Sequence, residues 1–267
     1  MQKELYNQML KYGFKPEHRL DQNFVVDESV IKNIIICLEP KEDKSEIILE
    51  IGPGTGSLTK ELLKNFKKVI VIEKDQKMVE ILEAEFENPN LEIITSDFTK
   101  VDLSKLKFDK ITGLIPYSIS SDIIDKINGI KPTVIVVQKE FAEKLAAYEG
   151  YGSYVATSVL AQSYGTIQFI KKVKKGSFYP VPSCDSAIIK ITPNGQKVND
   201  TYNTFIRAIF RYPNKNLINS IELTKRSDNK QFREMDASKI KDELKLTKVK
   251  QISVKDIKDV YKKIIGK

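Results

Sequence analysis

Gly52, Gly54 and Gly56 stand at alternate positions directly after Glu50 and a short apolar run, Ile47-Ile48-Leu49. A buried strand that ends in a glycine turn, followed by a helix-forming run (Lys60-Glu61-Leu62-Leu63-Lys64), leaves peptide N–H groups bare beside a ligand at the helix N-terminus. Glycine suits the turn because a Cβ would hold the ligand away and because such turns often need positive φ. A second apolar run, Lys68-Val69-Ile70-Val71-Ile72, ends in Glu73. That acid lies about 20 residues past the first glycine, where α/β folds hold a ribose hydroxyl pair. A third run, Leu91–Thr95, leads into Ser96-Asp97-Phe98. There a carboxylate can accept from an exocyclic amine while a ring covers a purine face. Both acids have a plainer alternative, a solvated strand end for Glu73 and the start of a turn for Asp97. The glycine turn upstream favours the ligand reading.

Positioning these groups requires a particular order of elements. The spacing is G-x-G-x-G, not the G-x-G-x-x-G of dinucleotide enzymes. With Glu50 before it and Glu73 after it, the set resembles the cofactor site of S-adenosylmethionine-dependent methyltransferases. Asp27 can cap a helix whose apolar face is Val30, Ile31, Ile34, Ile35 and Leu38, ahead of the first strand. Residues Met1–Arg19 read as a loosely held arm. Two further strands, Lys110–Gly113 and Thr133–Val137, alternate with helices. An antiparallel-looking pair follows at Ile167–Val173 and Ser186–Ile191. The order predicts an α/β fold, a Rossmann-like sheet of the class I methyltransferase kind with a small C-terminal all-helical domain. After Pro193 the pattern is helical only, with Ser253 as the N-cap of a last helix bearing Val254, Ile257, Val260, Tyr261 and Ile264. The expected division is a methyltransferase domain over residues 1–194 and a basic helical domain over 195–267.

Composition narrows the function classes. The chain has 267 residues, 41% hydrophobic, enough for one large core or a core with a small second domain. No apolar run approaches the roughly 18 residues of a membrane span, and no secretory pattern opens the chain, so a cytoplasmic protein is expected. Cys37 and Cys184 lack metal-ligand spacing and read as packing residues of a reducing compartment. The lone His18 lacks the companions of a zinc site. Net charge is +8, yet residues 195–267 hold 18 basic and 9 acidic residues, so the first 194 sum to −1. A neutral front and a basic back fit a catalytic domain joined to a part that meets polyanion. Lysine-rich helices that are simply solvated would fit as well.

Further motifs name a family. Gln22-Asn23-Phe24, Glu50-x-Gly52-x-Gly54-x-Gly56, Glu73, Asp97, Pro116-Tyr117-x-Ile119-Ser120-Ser121 and Phe178-x-Pro180-x-Pro182 occur in one order. Together they resemble the small-subunit rRNA adenine N6,N6-dimethyltransferases, archaeal-looking in the loops, over about residues 15 to 265. The resemblance implies S-adenosyl-L-methionine as cofactor. Asn23 and Val25 would lie over its methionine end and Gly52 and Gly54 under it. Glu73, with Lys74 beside it, would take the ribose hydroxyls, and Asp97 and Phe98 the adenine. Tyr117, in the turn opened by Pro116, and Phe178 would sandwich a target adenine rotated out of its stack. Leu114 would border both cofactor and target. It is also a departure, since the family has an asparagine there whose carbonyl accepts from the target N6. The implied partner is small-subunit rRNA in an immature small ribosomal subunit, met by a monomer. The alternative is a relative that is weakened or inactive in catalysis and assists ribosome assembly by binding rRNA. A third is a methyltransferase shifted to another base or product.

Overall fold

The computed structural model describes residues 1–196, 199–226 and 232–265, and for His18 the backbone alone, so the side-chain reading of His18 lies outside the described residues. The chain divides into two compact units. One comprises Met1–Ala142 with Ile167–Pro193, the other Glu143–Thr166 with Asn194–Lys267. One division between the units falls after Pro193, and residues 143–166 group with the chain that follows it.

The first unit is built on a seven-stranded sheet, in chain order β2 (Ile47–Ile51), β3 (Lys68–Glu73), β4 (Leu91–Thr95), β5 (Lys110–Leu114), β6 (Thr133–Gln138), β7 (Gly165–Val173) and β9 (Ser186–Pro193). The spatial order is β4-β3-β2-β5-β6-β9-β7. The pairs β3–β4, β2–β3, β2–β5 and β5–β6 are parallel, and β9 runs antiparallel to β6. Register aligns Ile51 with Ile72 and Gly113, Glu73 with Thr95, and Leu114 with Val136. The carboxyl ends of β2 to β5 therefore share one edge, where an open parallel sheet binds its ligand. Helices cover both faces of such a sheet, so its central strands read as unbroken apolar runs. Ile48 and Leu49 are accordingly fully buried.

Helices α2 (Glu28–Leu38), α3 (Ser57–Asn65) and α5 (Ser120–Ile127) follow the sequence reading, α4 (Gln76–Glu85), to which the sequence reading gave no bounds, lies between β3 and β4, and α6 (Lys139–Leu145) comes directly after β6. The Asp27 side chain accepts from Ser29 N–H as the α2 cap, and Asp75 from Lys77 N–H as the α4 cap. The N-terminal arm differs from its expectation. Gln2–Tyr12 forms a helix, α1, closed by Gly13 at φ +62°. Leu5 and Phe14 pack with Phe24, Met78 and Ile81, and the Tyr12 hydroxyl donates to Glu85 at 2.6 Å. The partner surface comes largely from α4, about 70 residues away, and no local pattern announces it. A two-stranded ribbon, β1 (Phe24–Val25) with β8 (Phe178–Tyr179), pairs Phe24 with Tyr179 and Val25 with Phe178. It brings two motifs 150 residues apart side by side.

The second unit takes α7 (Ala156–Tyr164), α8 (Asp200–Ile209), α9 (Leu217–Lys225), α10 (Asp242–Lys245) and α11 (Val254–Ile265). Its core holds Val159 and Leu160 of α7 with Tyr202, Phe205, Phe232 and Tyr261. Edge-on ring pairs order it, Tyr202 against Tyr261 at 5.0 Å and Phe205 against Phe232 at 6.1 Å. The Ser163 hydroxyl meets that of Tyr202 at 2.8 Å, and Tyr164 donates to Asn203 Oδ1 at 2.7 Å. These contacts explain why α7 leaves the first unit: its apolar face is matched by α8. Ser253 caps α11, its hydroxyl accepting from Asp256 N–H at 3.1 Å.

Candidate active site

Glu73 is the polar centre of the site. Its carboxylate is 8% exposed. Oε1 accepts from the N–H groups of Lys74 and Asp75, both at 2.9 Å, and Oε2 from Gly54 N–H at 3.2 Å. Burial raises the Glu73 pKa above the ordinary carboxylate value, and the three peptide donors oppose that rise. A strand-end acid so held is a preset acceptor and not a freely solvated one.

The glycine turn wraps over it. Gly52 N–H donates to Ile72 O, Gly54 N–H to Glu73 and Gly56 N–H to Pro53 O, at 3.0, 3.2 and 3.0 Å. The glycine donors expected to be bare are thus engaged inside the protein, because closing so tight a turn uses them. What the turn offers is space. At Gly52, φ +62°, a Cβ would meet nothing within 4 Å. Gly56 differs: at φ +83° a Cβ would lie 2.4 Å from the Phe86 ring, so this glycine serves helix packing.

A cavity of about 90 Å³ opens against the turn, and Asn23, Val25, Gly52, Gly54, Glu73, Lys74 and Leu114 all line it. Asp21, Gln22, Asp75 and Met78, to which the sequence reading gave no role, line it as well. Gln22 Nε2 donates to Asp75 Oδ2 at 2.6 Å and its Oε1 accepts from Glu17 N–H at 2.9 Å, tying the Gln22-Asn23-Phe24 stretch to the α4 cap. Asp75 carried a detectable signal, an acid one residue before a helical run.

Asp97 and Phe98 stand outside that lining. They follow β4, beside β3, with Ser96 N–H donating to Glu73 O at 2.9 Å. Asp97 accepts from Thr99 N–H and Thr99 Oγ1 at 2.9 and 2.7 Å, which lowers its pKa, and Phe98 is buried beneath Lys126, whose Nζ lies 5.7 Å from the ring centre.

A second, narrow cavity of about 20 Å³ is lined by Asn23, Leu114, Tyr117 and Phe178, with Asp21, Ile115, Val136 and Ser186 completing it. It has room for about one water molecule. Tyr117 OH and Ser186 Oγ are 2.6 Å apart. Burial is the main cause raising the Tyr117 pKa. Pro116 lies outside the lining. Its carbonyl accepts from Ile119 N–H and from Ser120 Oγ, and so shapes the turn that carries Tyr117.

Residues 13–265 match the family model described as ribosomal RNA adenine dimethylase. The chain is 35% identical over 236 residues to a probable ribosomal RNA small subunit methyltransferase A of Methanopyrus kandleri, 84% of each chain being covered. It is 39% identical over 224 residues to the ribosomal RNA small subunit methyltransferase A of Mycoplasma mycoides, covering 78% of this chain and 84% of the other. Among solved structures, a dimethyladenosine transferase from Plasmodium falciparum superposes with a TM-score of 0.75 at 25% identity, covering 89% of this chain and 95% of that one. A family match spanning nearly the whole chain, on a sheet whose carboxyl edge carries the glycine turn and Glu73, means that this chain belongs to the ribosomal RNA adenine dimethylase family.

Proposed function

We infer that this chain is an S-adenosylmethionine-dependent dimethyltransferase of adenosine N6 in small-subunit rRNA. One observation carries the reading: Asn23 and Leu114 line both the cavity over the glycine turn and the slot between Tyr117 and Phe178. A nucleoside cofactor in the first and an adenine in the second would meet at that shared wall. The donor set fits such a cofactor, with a preset carboxylate at Glu73, polar Asn23 and Asp75, and apolar Val25, Leu58 and Met78.

In this reading Glu73 and Lys74 hold the ribose, Gly52 and Gly54 admit the cofactor close to the backbone, and Asn23 and Val25 cover its methionine end. Asp97 and Phe98 serve the adenine from the end of β4. Bound S-adenosylmethionine would supply a sulfonium methyl to the N6 lone pair, the carbon–sulfur electrons staying with sulfur. Tyr117 and Phe178 stack on the target, and each ring contributes roughly 1–3 kcal/mol towards the cost of unstacking it. Alignment is then the main catalytic contribution of the protein. The +8 charge lies entirely in the second unit, residues 143–166 and 194–267, which suits it to rRNA backbone. The working form is a cytoplasmic monomer that engages immature small subunits. Cys37 and Cys184, both unpaired, suit that reducing setting. A non-catalytic assembly role draws no support from relatives named as methyltransferases.

Incubation of immature small subunits with methyl-labelled cofactor tests the reading. Label is expected in N6,N6-dimethyladenosine of the small-subunit rRNA. Subunits that bind the protein yet stay unlabelled would overturn it.

A further inference from the structure

One residue on the shared wall has no part in the roles above. Asp21 lines both the cofactor cavity and the aromatic slot. Its backbone is left-handed, φ +52°, a conformation that Asp adopts more readily than most residues because its short side chain bonds locally. In that pose Oδ2 accepts from Ser118 N–H at 2.9 Å, and the Asp21 carbonyl accepts from Asn23 Nδ2 at 2.9 Å. The residue therefore joins the Gln22-Asn23-Phe24 stretch to the turn carrying Tyr117.

The other side-chain acceptors of the slot are neutral. Leu114, Ile115, Val136 and Phe178 have none, the Tyr117 and Ser186 hydroxyls share a hydrogen bond with each other, and Asn23 offers an amide oxygen. Asp21 is the one carboxylate in that lining among the described residues. An amine that gains a fourth bond becomes cationic and must then shed a proton. A half-buried carboxylate facing it stabilises that charge most when it is fullest.

We propose that the Asp21 carboxylate accepts the hydrogen bond from the target N6 amine as the methyl arrives and then takes its surplus proton, supplying on the shared wall an acceptor that the Leu114 side chain lacks. The proposal rests on the reading of the slot as the target-base site. The new N–C bond uses the amine lone pair. The departing proton passes to a carboxylate oxygen of Asp21 and from there to water, which restores the carboxylate for the second methyl.

Two substitutions and a rescue test it. Asp21→Gly keeps the left-handed backbone without strain. Asp21→Asn keeps the bond to Ser118 and loses only the charge. Single-turnover transfer to immature small subunits is expected to fall about 100-fold in Asp21→Gly and at least about 10-fold in Asp21→Asn. Calorimetric affinity for S-adenosylmethionine should fall far less than transfer in both, since the Asp21 carbonyl that holds Asn23 is kept. Leu114→Asn places an amide carbonyl on the same shared wall and should restore Asp21→Gly by about 10-fold or more. Transfer by Asp21→Gly within about threefold of wild type would overturn the proposal. So would a cofactor affinity that falls in step with rate in both variants, or a failure of Leu114→Asn to rescue. A wild type that transfers nothing would instead sink the dimethyltransferase reading, and this proposal with it.

Discussion

At the scale of single residues, two buried acids divide the work under the glycine turn. Glu73 has one wall on the cavity and three peptide donors behind it. Glu73→Ala should weaken S-adenosylmethionine binding by about 10- to 100-fold in calorimetry, the loss of one or two charge-assisted bonds. Tyr117→Ala should leave that affinity nearly unchanged and slow methyl transfer, because its ring lines only the narrow slot. Glu50 is different. It is fully buried, accepts from Thr59 Oγ1 at 2.7 Å through Oε2, and its Oε1 has no partner. Burial pushes its pKa from 4.5 up to about 8. A raised folded-state pKa contributes stability that is complete below 4.5 and lost as pH rises through about 8. The loss is on the order of a few kcal/mol, since each tenfold change in proton affinity is worth about 1.4 kcal/mol. Glu50→Gln keeps the group neutral and should flatten the fall in thermal stability between pH 5 and 9, roughly the span over which the acid would otherwise ionise. An unchanged pH profile would show that Glu50 is already charged in the fold.

At the scale of elements, two glycines of one turn should respond oppositely to the same methyl group. Gly56→Ala drives a Cβ into the Phe86 ring at positive φ and should destabilise the first unit by about 2–4 kcal/mol in denaturant unfolding. Gly52→Ala meets no protein atom within 4 Å, so its stability cost should be about 1 kcal/mol, from backbone strain alone. Its methyl projects into open space beside the cavity and should lower cofactor affinity, which calorimetry reads directly. Helix α1 is held by Leu5 at 4% exposure against Phe24, Met78 and Ile81. Leu5→Ala should cost about 2–4 kcal/mol, a core penalty that a loose arm would not show.

At the scale of the whole molecule, charge separates the two units: the first sums to zero and the second carries +8. Binding to immature small subunits should therefore weaken steeply with salt, by about 10³-fold or more between 50 and 200 mM if six or more phosphates are met. Cofactor affinity over the same range should hardly move, since the Glu73 carboxylate that would hold it lies on a buried residue and is screened little. Sedimentation binding at a series of salt concentrations checks the first, and calorimetry the second. Salt-insensitive subunit binding would place recognition in contacts other than phosphate. Among the described residues no helix is long and apolar enough to cross a membrane.

The sequence by itself determined the seven strands of the sheet, the helix caps at Asp27 and Ser253, the glycine turn and the acid ending β3. All of these are local: apolar runs, capping side chains and glycine spacing act within a few residues of chain. The tertiary structure alone decided which distant residues became neighbours. Met1–Arg19 looked loose because the α4 surface that covers Leu5 and Phe14 lies far along the chain. Helix α7 looked like part of the sheet unit because periodicity states that a face is buried, not against what. Asp21 was overlooked because its importance comes from Ser118 and Leu114, some 95 residues away. The bare glycine donors of the expected turn were engaged because closing the turn brought Ile72, Glu73 and Pro53 within reach. Sequence patterns encode the geometry of elements; contacts between elements depend on how buried faces match once the sheet has formed.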